Sequence, residues 1–223
     1  MLVQPIVATP WQSNCYLIRA SERSLETVIV DPGITAAPQI TAVVERLGLR
    51  PVALLGTHGH ADHVGDAHVL AARYDIPLYL AAQDQAWLTR PGDGLGPRGD
   101  AMLLQIAGTA ELPPVADVRG WDGPVTLAGL TITPFAAPGH TPGSTLLRVE
   151  SATAEVVLTG DVLFRSTIGR TDLPGGDMGQ MRATLAAIVE AFPPASTLLP
   201  GHGEPTELSV ELATNPYLQP GAL

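Results

Sequence analysis

A chain of 223 residues that is 45% hydrophobic and 15% charged, with mean hydropathy +0.20, has enough apolar side chain to bury a sizeable core, which excludes a disordered or fibrous polymer. Its 22 acidic against 12 basic side chains give a formal net charge of −10, which offers no electrostatic footprint for nucleic acid or an anionic membrane. Cys15 is the single cysteine and has no partner for an internal disulfide, no apolar run reaches the ~18 residues of a spanning helix, and the N-terminus lacks a basic stretch ahead of an apolar core, so the expectation is a cytoplasmic protein.

Short runs rich in Val, Ile and Leu, each bounded by Gly, Pro or Asp, predict strands at 14–19, 27–30, 51–56 and 77–80. Between the second and third, Ile40, Val43, Val44 and Leu47 fall at helical spacing, with Gly48 placed to end the helix. The segment 90–100, R-P-G-D-G-L-G-P-R-G-D, reads as a long polar loop of the kind that often carries function. Further strands are predicted at 130–135, 144–149, 155–159 and 196–199. A helix over Met178, Met181, Leu185, Ile188, Val189 and Phe192 starts at the N-cap Asp177 and stops at Pro193-Pro194, and its two methionines read as core. No linker, charge run or repeat divides the chain, and residues 1–223 are read as one α/β domain.

The chemistry concentrates in T-H-G-H-A-D-H, residues 57–63, directly after the strand at 51–56. In an extended loop His58 and His60, two residues apart, point to the same side and can share one metal ion. Asp62 and His63 fall in the first turn of a following helix and face a different direction, available to a second ion. Three later strands each lead through a glycine to a metal-competent residue: P-G-H140-T-P-G, T-G-D161 and P-G-H202-G. Ligands at the carboxyl ends of strands are where α/β sheets place their sites. Five of the six histidines are thereby used, and His68, inside the helix after the motif, reads as structural or exposed. Asp31, at the end of V-I-V-D-P-G, is a strand-end carboxylate suited to orienting a histidine ligand.

These residues together resemble the metallo-β-lactamase superfamily, whose H-x-H-x-D-H signature with a later His, Asp and His is matched at every position. The resemblance implies an αβ/βα four-layer sandwich, two mixed β-sheets packed face to face with helices outside and metals at one edge. It implies that His58, His60 and His140 hold one ion, that Asp62, His63 and His202 hold the other, and that Asp161 bridges both; Asp31 matches a supporting acidic position. Two Zn2+ ions are expected, with Fe or Mn as alternatives, and a bridging hydroxide held with the catalytic carboxylates Asp62 and Asp161 would attack an acyl bond.

Within that superfamily, aspartate at position 161 resembles the glyoxalase-like members, whereas the β-lactamases place Cys or Ser there. N-C-Y at 14–16, V-D-P-G at 30–33, H-T-P-G-S at 140–144, G-D-V-L-F at 160–164, I-G-R-T-D at 168–172 and N-P-Y at 215–217 are similar to glyoxalase II and its bacterial relatives. The implied reaction is hydrolysis of a small-molecule S-acyl thiol such as a hydroxyacyl-glutathione. A thiolate leaving group, with pKa about 8.5, needs no general acid. Arg170 matches a substrate-contacting basic position, while its own neighbours equally allow a surface pair with Asp172 or Asp177. Glyoxalase II proper carries a C-terminal helical glutathione-binding domain that this sequence lacks after His202, so another low-molecular-weight thiol stays open. Two other readings stand beside it: a persulfide dioxygenase with one iron on His58, His140 and Asp161, and a non-catalytic metal-binding module.

Overall fold

The computed structural model describes residues 1–8, 10–219 and 221–222 of the chain. A first sheet takes its strands in chain order: β1 (Leu2–Ala8), β2 (Ser13–Arg19), β3 (Glu26–Val30), β4 (Arg50–Leu55), β5 (Leu78–Tyr79) and β6 (Val118–Arg119). Strands β1 to β3 pair antiparallel and β3 to β6 parallel. Helices α1 (Ala37–Leu47), α2 (Ala61–Val64), α3 (Ala67–Tyr74) and α4 (Gly99–Ala107) lie among these crossovers. The second sheet contains β7 (Val125–Leu127), β8 (Leu130–Ala136), β9 (Thr145–Glu150), β10 (Glu155–Gly160) and, after the small hairpin β11 (Leu163–Phe164) and β12 (Thr167–Ile168), β13 (Thr197–Pro200) and β14 (Thr206–Glu207). Its order is β14-β13-β10-β9-β8-β7, with only β10 and β13 parallel. Helix α5 (Met178–Ala191) precedes β13, and α6 (Leu208–Thr214) follows β14.

The period of two along each strand sorts side chains into layers. Tyr16, Ile18, Val28, Val30, Leu55, Leu130, Ile132, Leu147, Val149, Leu158 and Leu199 face inward and fill the space between the sheets. Their neighbours Cys15, Leu17, Ile29 and Leu54 turn the other way, onto Ile40 and Val44 of α1 and Leu70 of α3. On the far side Leu146, Val157 and Leu198 pack against Met181, Leu185 and Ile188 of α5. Because both faces of both sheets are covered, the strands read as near-continuous apolar runs, and the result is the expected four-layer αβ/βα sandwich.

The helix signals act as expected. Gly48 adopts the left-handed conformation that ends α1, and the Asp177 side chain accepts the Gln180 N–H at the start of α5. Met181 is core, but Met178, the first residue of α5, lies outside the apolar cluster that Met181 joins and is 39% exposed. His68, in α3, bonds the carbonyl of Gly65 at the end of α2 at 3.0 Å, a structural role. The expected loop at 90–100 is instead ordered as a 3-10 turn, Pro91–Gly94, leading into α4. Leu103 of α4 anchors this segment by packing fully buried against Ile34 and Ala61, which tertiary contact supplies and local polarity conceals. The structure also adds β1, an edge strand that tolerates Pro5 because one side needs no ladder partner. Among the described residues no helix is long and apolar enough to cross a membrane.

Ile132 lies at the centre of the inter-sheet layer with no solvent exposure. Ile132→Ala leaves a cavity there, and urea unfolding at fixed metal loading should show a loss of about 2–5 kcal/mol with an unchanged denaturant slope.

Candidate metal centre

The carboxyl ends of β3, β4, β8, β10 and β13 converge at one edge of the sandwich, carrying Asp31, the 57–63 segment, His140, Asp161 and His202. Potential ligand atoms of His58, His60 and His140 lie within 4.8 Å of one another, as do those of Asp62, His63 and His202. A third such group, His58, His63 and Asp161, joins the first two. The structure thus brings together all seven residues singled out by the sequence, with Asp161 between the two histidine groups. Its Oδ1 is 3.4 Å from His63 Nε2, and its Oδ2 is 3.5 Å from His202 Nε2 and 3.7 Å from His140 Nε2.

The outward nitrogens of four imidazoles are already committed. His58 Nδ1 donates to Thr57 Oγ1 at 3.1 Å, His60 Nε2 to the Gly94 carbonyl at 3.1 Å, His140 Nδ1 to the Arg170 carbonyl at 2.7 Å, and His63 Nδ1 to Asp31 Oδ2 at 3.0 Å. These partners assign the tautomers and leave the inward nitrogens of His58, His60 and His140 as bare lone pairs. Yet His60 Nδ1 faces His58 Nε2 at 3.2 Å and His140 Nε2 at 2.9 Å. Three acceptors aimed at each other in a buried site, beside an Asp161 Oδ1 that is buried without a hydrogen bond, need a cation between them. The donor set therefore fits divalent metal, with nitrogen and carboxylate oxygen as its ligands.

Electrostatics separates the two groups. Burial and the neighbouring His63, His140, His60 and His202 hold the His58 pKa well below the usual histidine value. Burial, with His140, likewise pushes His60 down to about 3. Burial also disfavours a charged His63, but Asp161, Asp62 and Asp31 outweigh it and push its pKa up to about 10. Asp62, which burial alone would raise, is held below the usual carboxylate range by His63 and His202. In the metal-free protein His63 is thus a cation inside a nest of carboxylates.

Asp31 accepts the Thr57 N–H and hydroxyl, both at 2.8 Å, as well as His63. Gly201 precedes His202 because a Cβ there would meet Asp161 Oδ1 at 2.2 Å. The N-C-Y motif acquires a purpose: Asn14 Nδ2 donates to the Pro200 and Gly203 carbonyls and Tyr16 Oη to Pro200, which pins the loop carrying His202. Asn215 of N-P-Y is buried and holds the β11–β12 hairpin through the Thr167 carbonyl. Arg170 lines the cavity beside the cluster, and its guanidinium pairs in two-point fashion with Asp172, at 2.6 and 2.8 Å; Asp177 is occupied capping α5. The cavity, of about 240 Å³, is also lined by the apolar Trp11, Leu95, Met102 and Leu173. Sequence patterns pass over Asp84 and Trp87, on the 3-10 turn Ala82–Leu88: Asp84 accepts hydrogen bonds from both histidine-bearing loops, and Trp87 stacks on His60 at 5.4 Å and 9°. No motif marks them.

Since His63 must shed its proton to donate a lone pair, zinc titrated into the metal-free protein should release protons, read as a heat that depends on the buffer's ionisation enthalpy. Apparent affinity should rise between about pH 6 and 8; a buffer-independent heat would overturn the charge state assigned to His63. Asp161→Ala, which removes the carboxylate joining both groups, should lower metal content at both, measured by elemental analysis, whereas His202→Ala should lower it at one.

The family model described as Metallo-beta-lactamase superfamily matches residues 8–202. An uncharacterised protein of Mycobacterium tuberculosis is 35% identical over 222 residues, 98% of each chain. Bacillus subtilis YqgX, named a probable metallo-hydrolase, is 33% identical over 94% of this chain and 93% of its own, and Haemophilus influenzae GloC, named a hydroxyacylglutathione hydrolase, is 30% identical over 98% of each. Among solved structures, BLEG-1 B3 metallo-beta-lactamase superposes with TM-score 0.82 at 31% identity, covering 98% of this chain and 100% of its own. A di-iron-bound form of TTHA1623 gives 0.78 at 34%, with 97% and 100% covered. ETHE1 from Myxococcus xanthus gives 0.74 at 22%, with 98% and 84% covered, a likeness of fold. With its sandwich, its edge cluster of histidines and aspartates and these matches along its length, the chain belongs to the metallo-β-lactamase superfamily.

Proposed function

We propose that this chain is a metal-dependent thioester hydrolase that cleaves small-molecule S-acyl thiols, in the manner of glyoxalase II. The observation that carries this reading is Asp161, a carboxylate set between two histidine groups where the β-lactamases of the resemblance place Cys or Ser. The L-P-G-G-D continuation at 173–177, which through the resemblance is more like the hydrolase branch, supports the same reading, as does the 30% identity to a hydroxyacylglutathione hydrolase. His58, His60 and His140 would hold one ion, and Asp62, His63 and His202 the other, with Asp161 shared. When bound, zinc or iron supplies Lewis acidity toward the acyl carbonyl and lowers the pKa of water to near neutrality.

The chain's own groups do the rest. Asp62 is already a carboxylate in the metal-free protein, and beside a bound cation it would remain one, an acceptor able to orient the attacking water. Trp11, Leu95, Met102 and Leu173 form an apolar wall beside the cluster that would receive the acyl or thiol chain. That wall carries no acid to protonate a leaving group, which suits a thiolate and not an amine. The Arg170 guanidinium, exposed and shared with Asp172, stands at the cavity where an anionic thiol carrier would reach it.

Two specific observations keep other reactions in the test. BLEG-1 is named a metallo-β-lactamase and is 31% identical, and the G-R-T-D segment at 169–172 is shared with persulfide dioxygenases through the resemblance. Zinc-loaded and iron-loaded protein should both be assayed on lactoyl-glutathione and other S-acyl thiols without oxygen, on nitrocefin, and on glutathione persulfide with oxygen uptake followed. Thioester cleavage by the zinc form without oxygen is the expected result. Nitrocefin turnover or oxygen consumption by the iron form, with no thioester cleavage by either, would overturn it.

A further inference from the structure

Asp84 is a carboxylate with no solvent exposure that belongs to neither histidine group. Its Oδ2 accepts the Gly59 N–H at 2.9 Å and the Thr141 hydroxyl at 2.7 Å, and its Oδ1 accepts the Gly143 N–H at 2.8 Å. Gly59 stands between His58 and His60, and Thr141 and Gly143 lie one and three residues after His140. The contact is made at backbone range: a Cβ on Gly59 would lie 2.7 Å from Asp84 Cβ, and one on Gly143 2.5 Å from its Cγ. From the same turn Trp87 covers the His60 ring face. The other group is secured elsewhere, His63 by Asp31 and the His202 loop by Asn14 and Tyr16.

We propose that Asp84 is a positioning residue that sets metal affinity selectively at the His58, His60 and His140 group, by clamping its two loops together before any ion arrives. These ligands come from chain segments far apart, so a site without the clamp would have to order both loops each time it binds. Burial disfavours the charged carboxylate and raises its pKa, while Thr141, Gly59 and Gly143 offset that cost through hydrogen bonds to the anion. An asparagine of the same size has one acceptor oxygen and an amide NH2 that faces an N–H, so it breaks at least one of the three bonds without opening a cavity.

The proposal rests on the ligand assignment above, and the test uses zinc binding alone, by competition with a chromophoric chelator, so substrate identity does not enter. In a His202→Ala protein, where the three-histidine group is the intact one, Asp84→Asn should weaken the remaining zinc by about 10–100-fold. In a His140→Ala protein it should leave the remaining zinc unchanged. Thr141→Val, which keeps the carboxylate and removes the hydroxyl's bonds to Asp84 and Ser144, should show the same selectivity with a smaller loss, and thermal melts of metal-free protein report folding independently. If neither histidine variant loses a zinc, the ligand assignment falls and the proposal with it. If each loses one and the Asp84 and Thr141 variants act equally in both backgrounds, or in neither, the Asp84 clamp alone is overturned.

Discussion

The carboxylate of Asp31 holds the metal centre to the first sheet, and the rest of the site is arranged around it. It follows β3 with φ of +53°, a backbone conformation uncommon outside glycine, held by the bond from its own N–H to the Leu55 carbonyl. From there it grips His63 directly and His58 through the Thr57 hydroxyl, so one side chain orients a member of each histidine group. A buried anion with three donors is stable only if all three are in place, which makes the arrangement rigid.

That rigidity matters because the centre is otherwise self-repelling. Imidazole lone pairs point at one another across 2.9 to 3.2 Å, in a space that the sandwich keeps from solvent. The fold tolerates this through its two sheets, whose inter-sheet core fixes the relative height of the strand ends. Direct ties across the sheets add to it: Tyr16 and Asn14 of the first sheet reach the Pro200 carbonyl at the end of β13 in the second. Stability and ligand geometry therefore share the same contacts, and a cation relieves the repulsion that the folded chain creates.

The wall of the cavity has a different character. Leu95 and Met102 come from the ordered 91–107 segment, whose anchor is Leu103, and the Gly94 carbonyl of the same segment fixes His60. A stretch that lines the cavity thus also orients a histidine of the cluster, which couples the shape of the cavity to the metal-competent residues. On the opposite rim, Arg170 gives its carbonyl to His140 and its guanidinium to Asp172, so one residue serves the ligand frame with its backbone and faces the cavity with its side chain.

The sequence alone determined what depends on short range and on periodicity. Short runs of Val, Ile and Leu specified the central strands, Gly48 and Asp177 specified helix ends through contacts within a few residues, and T-H-G-H-A-D-H with the later His140, Asp161 and His202 marked the candidate ligands by residue type. Tertiary structure alone decided which groups hold those ligands. Asp84 reaches its partners across 25, 57 and 59 residues and Asn14 across 186 and 189, separations at which no local pattern marks one aspartate or asparagine among many. The 91–107 segment was hidden for the same reason: its glycines and charges follow the rules of a loop, and only the burial of Leu103 against Ile34 and Ala61 turns it into a wall. Local signals report the free energy of a turn or a strand, while a buried carboxylate with three donors exists only once the chain has closed around it.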